Sequence, residues 1–407
     1  MTTITNNYIS ERRSWIYWFA LLILIVAAIS LRLWLALRAN DIIDVHNFQR
    51  VAQTINSQGI FALYSQTPGQ YPYPPLWIWF ALVAEHLDQR SVIDFSLAIR
   101  LPSITADAIC IYVVWAWWRN SSQIYSWLAS LLYAVNPISL IITSLHGQFD
   151  ALPTLFVVIA FYTFRQRQIN FSALALGLAI ATKSFPVLLL PVFLIVLPSR
   201  HLKIRYTILA MLPVALLLLP FVIRIPFAVL EQLFGYSGVG LLGFLVPIRS
   251  VYVAYIGDHL PYELTQKLIS LSKWFFLAAY ATWILFAARR RASLIVVATG
   301  ILCLFYLLYG GVSPQYLLWI VPLLLILPVR SLFSTFIYTV SGSLALVGFY
   351  SYAVSDTIQP IFPLDLLDSR LMYGGGGILW WVVVGLLFVL LANNLTRLQW
   401  IYKEKVQ

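Results

Sequence analysis

Charge, cysteine and long polar stretches are all scarce in this 407-residue chain, and each scarcity excludes something. Only 10% of residues are charged against 61% hydrophobic, and mean hydropathy is +0.85, which excludes an ordinary soluble enzyme and places the chain among integral membrane proteins. The two cysteines, Cys110 and Cys303, fall inside predicted helices without a companion at metal spacing; we read them as packing residues rather than a disulfide or a metal site. His46, His86 and His259 also lack ligand-spaced companions, so no metal site is visible in the sequence. There is no soluble domain, low-complexity tract or internal repeat. The first apolar run, Trp15 to Leu31, is followed by no small-residue cleavage motif, so it is kept as a span.

What is present is a series of apolar segments. About twelve transmembrane helices are predicted, near 15–37, 97–118, 123–142, 149–164, 170–183, 186–198, 206–222, 267–288, 293–310, 314–328, 333–352 and 377–395. Trp15, Trp18, Trp117 and Trp118 sit where helices meet headgroups. The run Pro75 to Leu87 is too short to cross and is bounded by Glu85, His86 and Asp88, which predicts an interfacial helix. The expected fold is therefore an all-α polytopic bundle forming one domain over 1–407, with 374–377, four glycines, as a flexible lead-in to the last helix.

The formal charge of +11 suggests nucleic acid only until its distribution is examined. With Pro75 to Leu87 left outside the membrane, the short loops on one side collect 15 bases and two acids, while the other side holds ten bases and 12 acids. That is the positive-inside pattern, so both termini are predicted cytoplasmic, and 38–96, 223–266 and 353–376 extracytoplasmic. All the longer polar segments then share one face, which is the expected working surface.

The first of these segments, Asn40 to Trp77, is a polar island opened by Asp41 and Asp44 and closed by Tyr71, Pro72, Tyr73, Pro74 and Pro75, where helix is forbidden. Val45, Phe48, Val51, Ala52 and Ile55 recur at helical spacing and predict an amphipathic helix starting at Asp44. A carboxylate there either caps that helix or deprotonates an acceptor hydroxyl beside a lipid-linked reactant. The turn His146-Gly147-Gln148-Phe149-Asp150 joins two spans with more chemistry than a connection needs, although Asp150 is also placed to cap the next helix. Lys183, at a membrane edge, either meets an anionic phosphate or snorkels to headgroups. Arg249 and Arg224, with Arg370 behind them, are further phosphate candidates in the outer loops. Asp107, ten residues into its span, needs a partner from another helix or from the loop above it, and is assigned either a structural role or one supporting the site from behind.

Taken in order, Asp44, Tyr73-Pro74-Pro75-Leu76, Arg100-Leu101-Pro102, Asp107, His146-Gly147-Gln148-Phe149-Asp150 and Lys183 resemble the GT-C superfamily of polyprenyl-phosphate-sugar-dependent glycosyltransferases. Among these, the pattern is similar to the dolichyl-phosphate-glucose glucosyltransferases of N-glycan assembly and to bacterial GT-C mannosyl- and glycosyltransferases. The match covers about the first 200 residues, with Ser313-Pro314-Gln315-Tyr316 a looser echo; the glucosyltransferases carry His-Phe-Gln-Tyr-Asn where this chain has His-Gly-Gln-Phe-Asp. The resemblance implies an inverting transfer of a hexose from a polyprenyl-phosphate donor to a lipid-linked or glycan acceptor on the extracytoplasmic face. It makes Asp44 the general base and Asp41 a supporting acid, with His146, Gln148, Asp150, Lys183, Arg249 and Tyr73 as substrate-binding residues. It implies no organic cofactor; some members combine two acids in the first loop with a divalent metal. The competing classes are a flippase or transporter for a lipid-linked glycan, which predicts inverted repeats that the sequence lacks, and a glycan polymerase or ligase.

Overall fold

The computed structural model describes residues 2–40, 42–236, 238–290, 292–328, 331–353 and 369–394. Every regular element among them is helical. Each of the twelve apolar segments coincides with a helix or a short chain of helical turns. Seven helices, Trp15–Ala36, Phe95–Trp118, Gln123–His146, Arg200–Arg224, Tyr262–Arg290, Ser331–Ala353 and Leu371–Asn394, are long and apolar enough to cross a membrane. The other segments, among them Ala151–Arg165, Ile169–Thr182, Phe185–Val196, Leu294–Leu308 and Pro314–Leu325, are shorter. Most of their residues are buried by neighbouring helices, which is how short helical segments are accommodated in a polytopic bundle.

The amphipathic helix forms over Ile43–Gln58 and buries Val45, Phe48, Val51, Ala52 and Ile55, the five residues its spacing selects. The run after the prolines becomes a 14-residue helix, Leu76–Gln89, that packs on both Ile43–Gln58 and Phe95–Trp118. Phe48, Trp77 and Phe149 fix this corner: Trp77 stacks on Phe149 at 4.6 Å, and Phe48 meets both edge-on at 5.8–5.9 Å. The first polar segment is thereby clamped to the turn carrying His146.

The second long loop contains the helices Pro226–Gly235 and Leu245–Ile256. Buried Gln232 ties it to the first loop, accepting from the Gly69 amide at 3.1 Å and donating to the Thr67 carbonyl at 3.0 Å. The Leu241 and Leu242 amides both donate to the Val312 carbonyl. Three segments far apart in sequence are thus joined around one end of the bundle.

Asp107 finds its partner on the first helix. Arg32 Nε donates to Asp107 Oδ2 at 2.9 Å, Ser139 to the same oxygen at 2.6 Å, and Tyr133 to Oδ1 at 2.7 Å. The remaining guanidinium donors reach the Ala134 carbonyl and Ser139 Oγ. Both charges are buried, and each is neutralised and hydrogen-bonded, as burial of charge requires. Cys110 and Cys303 are buried and free.

One expectation is corrected. Gly374–Gly377 do not form a flexible lead-in; they lie inside the helix Ser369–Asn394. A Cβ on Gly376 would stand 2.8 Å from the Leu344 carbonyl oxygen, and one on Gly348 would stand 2.4 Å from that of Met372. The glycines let two helices approach backbone to backbone, as small residues do in membrane packing.

Candidate active site

Asp44 stands in the first turn of Ile43–Gln58, but it does not cap the helix; Ile42 occupies the cap position, with no side-chain cap bond. Its carboxylate turns instead to the 146–150 segment. Oδ2 accepts from His146 Nε2 at 2.9 Å and from Gln148 Nε2 at 2.6 Å. Oδ1 has no hydrogen-bond partner among the described residues, and the side chain keeps 31% of its exposure. One oxygen is pinned and the other is open. Burial pushes the carboxyl pKa up, but the hydrogen bonds from His146 and from the Gln148 amide, with the Lys183 charge, act against burial, and the carboxyl lies below its ordinary value.

The turn that supplies these partners has a specific backbone. Asn136 caps Pro137–Leu140, and the chain widens into a π-helical turn over Ile141–His146 that ends at Gly147 with φ +75°. A Cβ at 147 would lie 2.8 Å from Val45 Cγ2 and 3.1 Å from the Arg100 guanidinium, so glycine is demanded both by conformation and by the approach of the Asp44 helix. Arg100 is itself buried. Its Nε and Nη2 donate to the Ser144 and Leu145 carbonyls, and Nη1 donates to the Ser96 carbonyl, which satisfies groups that the widened turn leaves open.

Lys183 ends the helix Ile169–Thr182 in extended backbone and is 4% exposed. Its ammonium donates to both Asp150 oxygens at 2.8 Å. The rings of Phe149, Tyr73, Tyr316 and Trp319 surround it with centroids at 4.8, 5.1, 5.1 and 5.7 Å. The Trp319 indole N–H also donates to Asp150. Asp150 therefore does not cap the following helix, and Lys183 does not snorkel: the pair is an ion pair in an aromatic box. Its positive end still acts on Asp44.

The other sequence candidates are less central. Tyr73 forms one wall of the box and packs edge-on against Phe149 at 5.0 Å. Arg249 is half-buried on Leu245–Ile256, hydrogen-bonded to Tyr373 rather than to Asp44 or Lys183. Arg224 lies over the Phe61 ring at 5.7 Å, away from that group. Asp41 and the Arg370 side chain lie outside the described residues. Among the described residues, no group of three or more His, Cys, Asp and Glu side chains gathers as metal donors.

Three participants escaped sequence reasoning: Tyr350, hydrogen-bonded to His146; Trp319 on Asp150; and Tyr236, whose pKa burial and the nearby Asp44 charge raise to about 12. Trp319 follows the Ser313–Tyr316 echo by three residues, which was a usable signal; Tyr350 and Tyr236 had none.

Comparison with known proteins reaches part of this arrangement. Residues 47–199 match the family described as alpha-(1->6)-mannopyranosyltransferase, N-terminal domain, a span that begins just after Asp44 and includes the 146–150 turn and Lys183. The matched span is 153 of the 407 residues. No curated protein matches the chain. Two solved structures of ArnT from Cupriavidus metallidurans are similar in shape. The one bound to undecaprenyl phosphate has TM-score 0.49 and 13% identity, covering 91% of this chain and 77% of that one. The apo structure has TM-score 0.44 and 15% identity, covering 95% and 78%. Likenesses at this level carry no weight for function.

Proposed function

We propose that this protein is a membrane glycosyltransferase that moves a hexose from a polyprenyl-phosphate donor to a lipid-linked or glycan acceptor, with inversion, on the extracytoplasmic face. One observation carries the reading: a carboxylate held by two donors on one oxygen and open on the other. The acceptor hydroxyl is deprotonated by Asp44 Oδ1 as its oxygen attacks the anomeric carbon. The bond from that carbon to the phosphate oxygen breaks, polyprenyl phosphate departs, and the proton remains on Asp44. His146 and Gln148 keep the carboxylate ionised and aimed before the step.

Departure of the phosphate places negative charge beside the aromatic box. Lys183 is already balanced by Asp150, so its contribution is a fixed positive pole rather than a free ligand, and Arg249, half-buried in the second loop beside Tyr373, is the cation we assign, among the described residues, to meet the phosphate directly. Preorganised charge of this kind does not have to be assembled during reaction. The reading requires no organic cofactor. The family match makes polyprenyl-phosphate mannose the first donor to test, and the side of the membrane rests on the positive-inside pattern.

Membranes containing the protein, incubated with labelled polyprenyl-phosphate mannose and an extract of lipid-linked acceptors, should yield labelled product that Asp44→Ala membranes do not. Undiminished transfer by Asp44→Ala at equal expression would remove Asp44 as the base. Labelled lipid that changes leaflet without transfer would favour a flippase instead.

A further inference from the structure

His146 does not end at Asp44. Its second ring nitrogen, Nδ1, is hydrogen-bonded to the hydroxyl of Tyr350, on the helix Ser331–Ala353 and 204 residues away in sequence. The two rings meet edge to face, with centroids 5.6 Å apart and planes at 89°. Tyr350 is completely buried, and among the described residues its hydroxyl has no other hydrogen-bond partner. We infer that Tyr350 is a positioning residue for the transfer reaction: by donating its hydroxyl proton to Nδ1, it locks His146 in the neutral tautomer that carries hydrogen on Nε2 and directs that hydrogen at Asp44. The inference rests on Asp44 as the base.

The proton count supports this assignment. An ionised Asp44 only accepts, so His146 Nε2 must bear hydrogen to bond it. If Nδ1 also bore hydrogen, the Tyr350 proton would be left without an acceptor in a buried site, which is costly. If Nδ1 alone bore it, two lone pairs would face each other across the 2.9 Å contact between Nε2 and Asp44. Among the described residues only one arrangement satisfies all three groups, and it leaves His146 unable to take the proton from Asp44. The proton abstracted at Oδ1 therefore stays on Asp44 until product leaves.

Every other charged or titratable neighbour among the described residues is compatible with that assignment. Gln148 donates to the same Asp44 oxygen, and Arg100 is occupied by the Ser144 and Leu145 carbonyls beside the ring. Lys183 and Asp150 neutralise each other, while Tyr73 and Tyr236 are neutral phenols held so by burial. None offers Nδ1 an alternative partner.

The test is a cycle of Tyr350→Phe and His146→Gln in the full-length protein, read as the pH dependence of kcat for sugar transfer. Tyr350→Phe keeps the ring and removes the proton donor. It should lower kcat about tenfold at neutral pH and move the acid limb upward by about one unit, the shift that corresponds to a tenfold change. His146→Gln presents an amide N–H with no tautomer to choose, so adding Tyr350→Phe to it should change nothing further. An unmoved acid limb in Tyr350→Phe, or equal effects in both backgrounds, overturns the inference. Should Tyr350→Phe fail to fold, nitrogen-15 NMR of labelled histidine decides in the unmodified protein. The signal lost in His146→Gln, one of only five histidines, must show Nε2 protonated and Nδ1 bare, and the reverse overturns the inference. Loss of the Asp44 reading itself would show separately, as transfer surviving in Asp44→Asn.

Discussion

Asp107 and Asp44 are both carboxylates taken largely out of water, and their surroundings differ in one respect. Asp107 is fully buried, with Arg32, Tyr133 and Ser139 occupying both oxygens. Asp44 has two donors on one oxygen and an open second oxygen, with 31% of its side chain exposed. A saturated carboxylate has nothing left to accept a proton from a substrate, so it can only hold helices together. A half-saturated one is oriented and kept ionised while an acceptor site stays free. Asp150 belongs with Asp107 in this respect, since Lys183 and Trp319 take up its oxygens.

The comparison breaks most visibly at the saturated end. Arg32→Leu leaves Asp107 buried and uncompensated, and should cost about 3–5 kcal/mol of stability, read as a lower thermal midpoint in detergent. Arg32→Leu combined with Asp107→Leu should recover most of that loss, because two apolar side chains replace two charges. Lys183→Met is expected to behave the same way, with Asp150→Asn as its rescue; donor affinity measured in that double variant isolates the contribution of the Lys183 charge.

Smaller effects sharpen the open end. Gly147→Ala forces a Cβ onto Val45 at φ +75°, a strain of about 1–3 kcal/mol, and should reduce transfer about tenfold by displacing the Asp44 helix from His146. Gln148→Leu removes one of the two donors on Oδ2. It should raise the acid limb of the rate profile by about one unit, equivalent to a tenfold change in the proton equilibrium.

The mildest expectation concerns pH in the unaltered protein. The Asp44 pKa in the folded chain lies below its ordinary value of about 3.9. The stability it contributes is therefore complete above that ordinary value and is lost only as pH falls through the lower, folded value. Transfer should show no decline attributable to Asp44 between pH 7 and pH 5; an acid limb within that range would place the base elsewhere.

How much of this was legible beforehand depends on the range of the interaction. The helix over Ile43–Gln58 was readable to its five buried residues, because a 3.6-residue period is local information. Asp107 was readable as needing a partner, though Arg32 as that partner was not. Asp44, His146, Gln148 and Lys183 were legible as candidates from type and order. Their pairing was not: Asp44 meets His146 across 102 residues and His146 meets Tyr350 across 204, so only the packing of helices brings them together. Gly374–Gly377 shows the opposite error. Composition alone suggests flexibility, whereas all four lie inside a helix and the Leu344 backbone occupies the space a side chain at 376 would need.

The most direct measurement sets the two carboxylates side by side: the rate of sugar transfer per folded molecule in Asp44→Asn and in Asp107→Asn, with thermal midpoints measured on the same preparations. Asp44→Asn should lose about 10²–10⁴-fold in rate with its midpoint unchanged, and Asp107→Asn should keep its rate while its midpoint falls. Transfer that survives in Asp44→Asn and disappears in correctly folded Asp107→Asn would contradict the account.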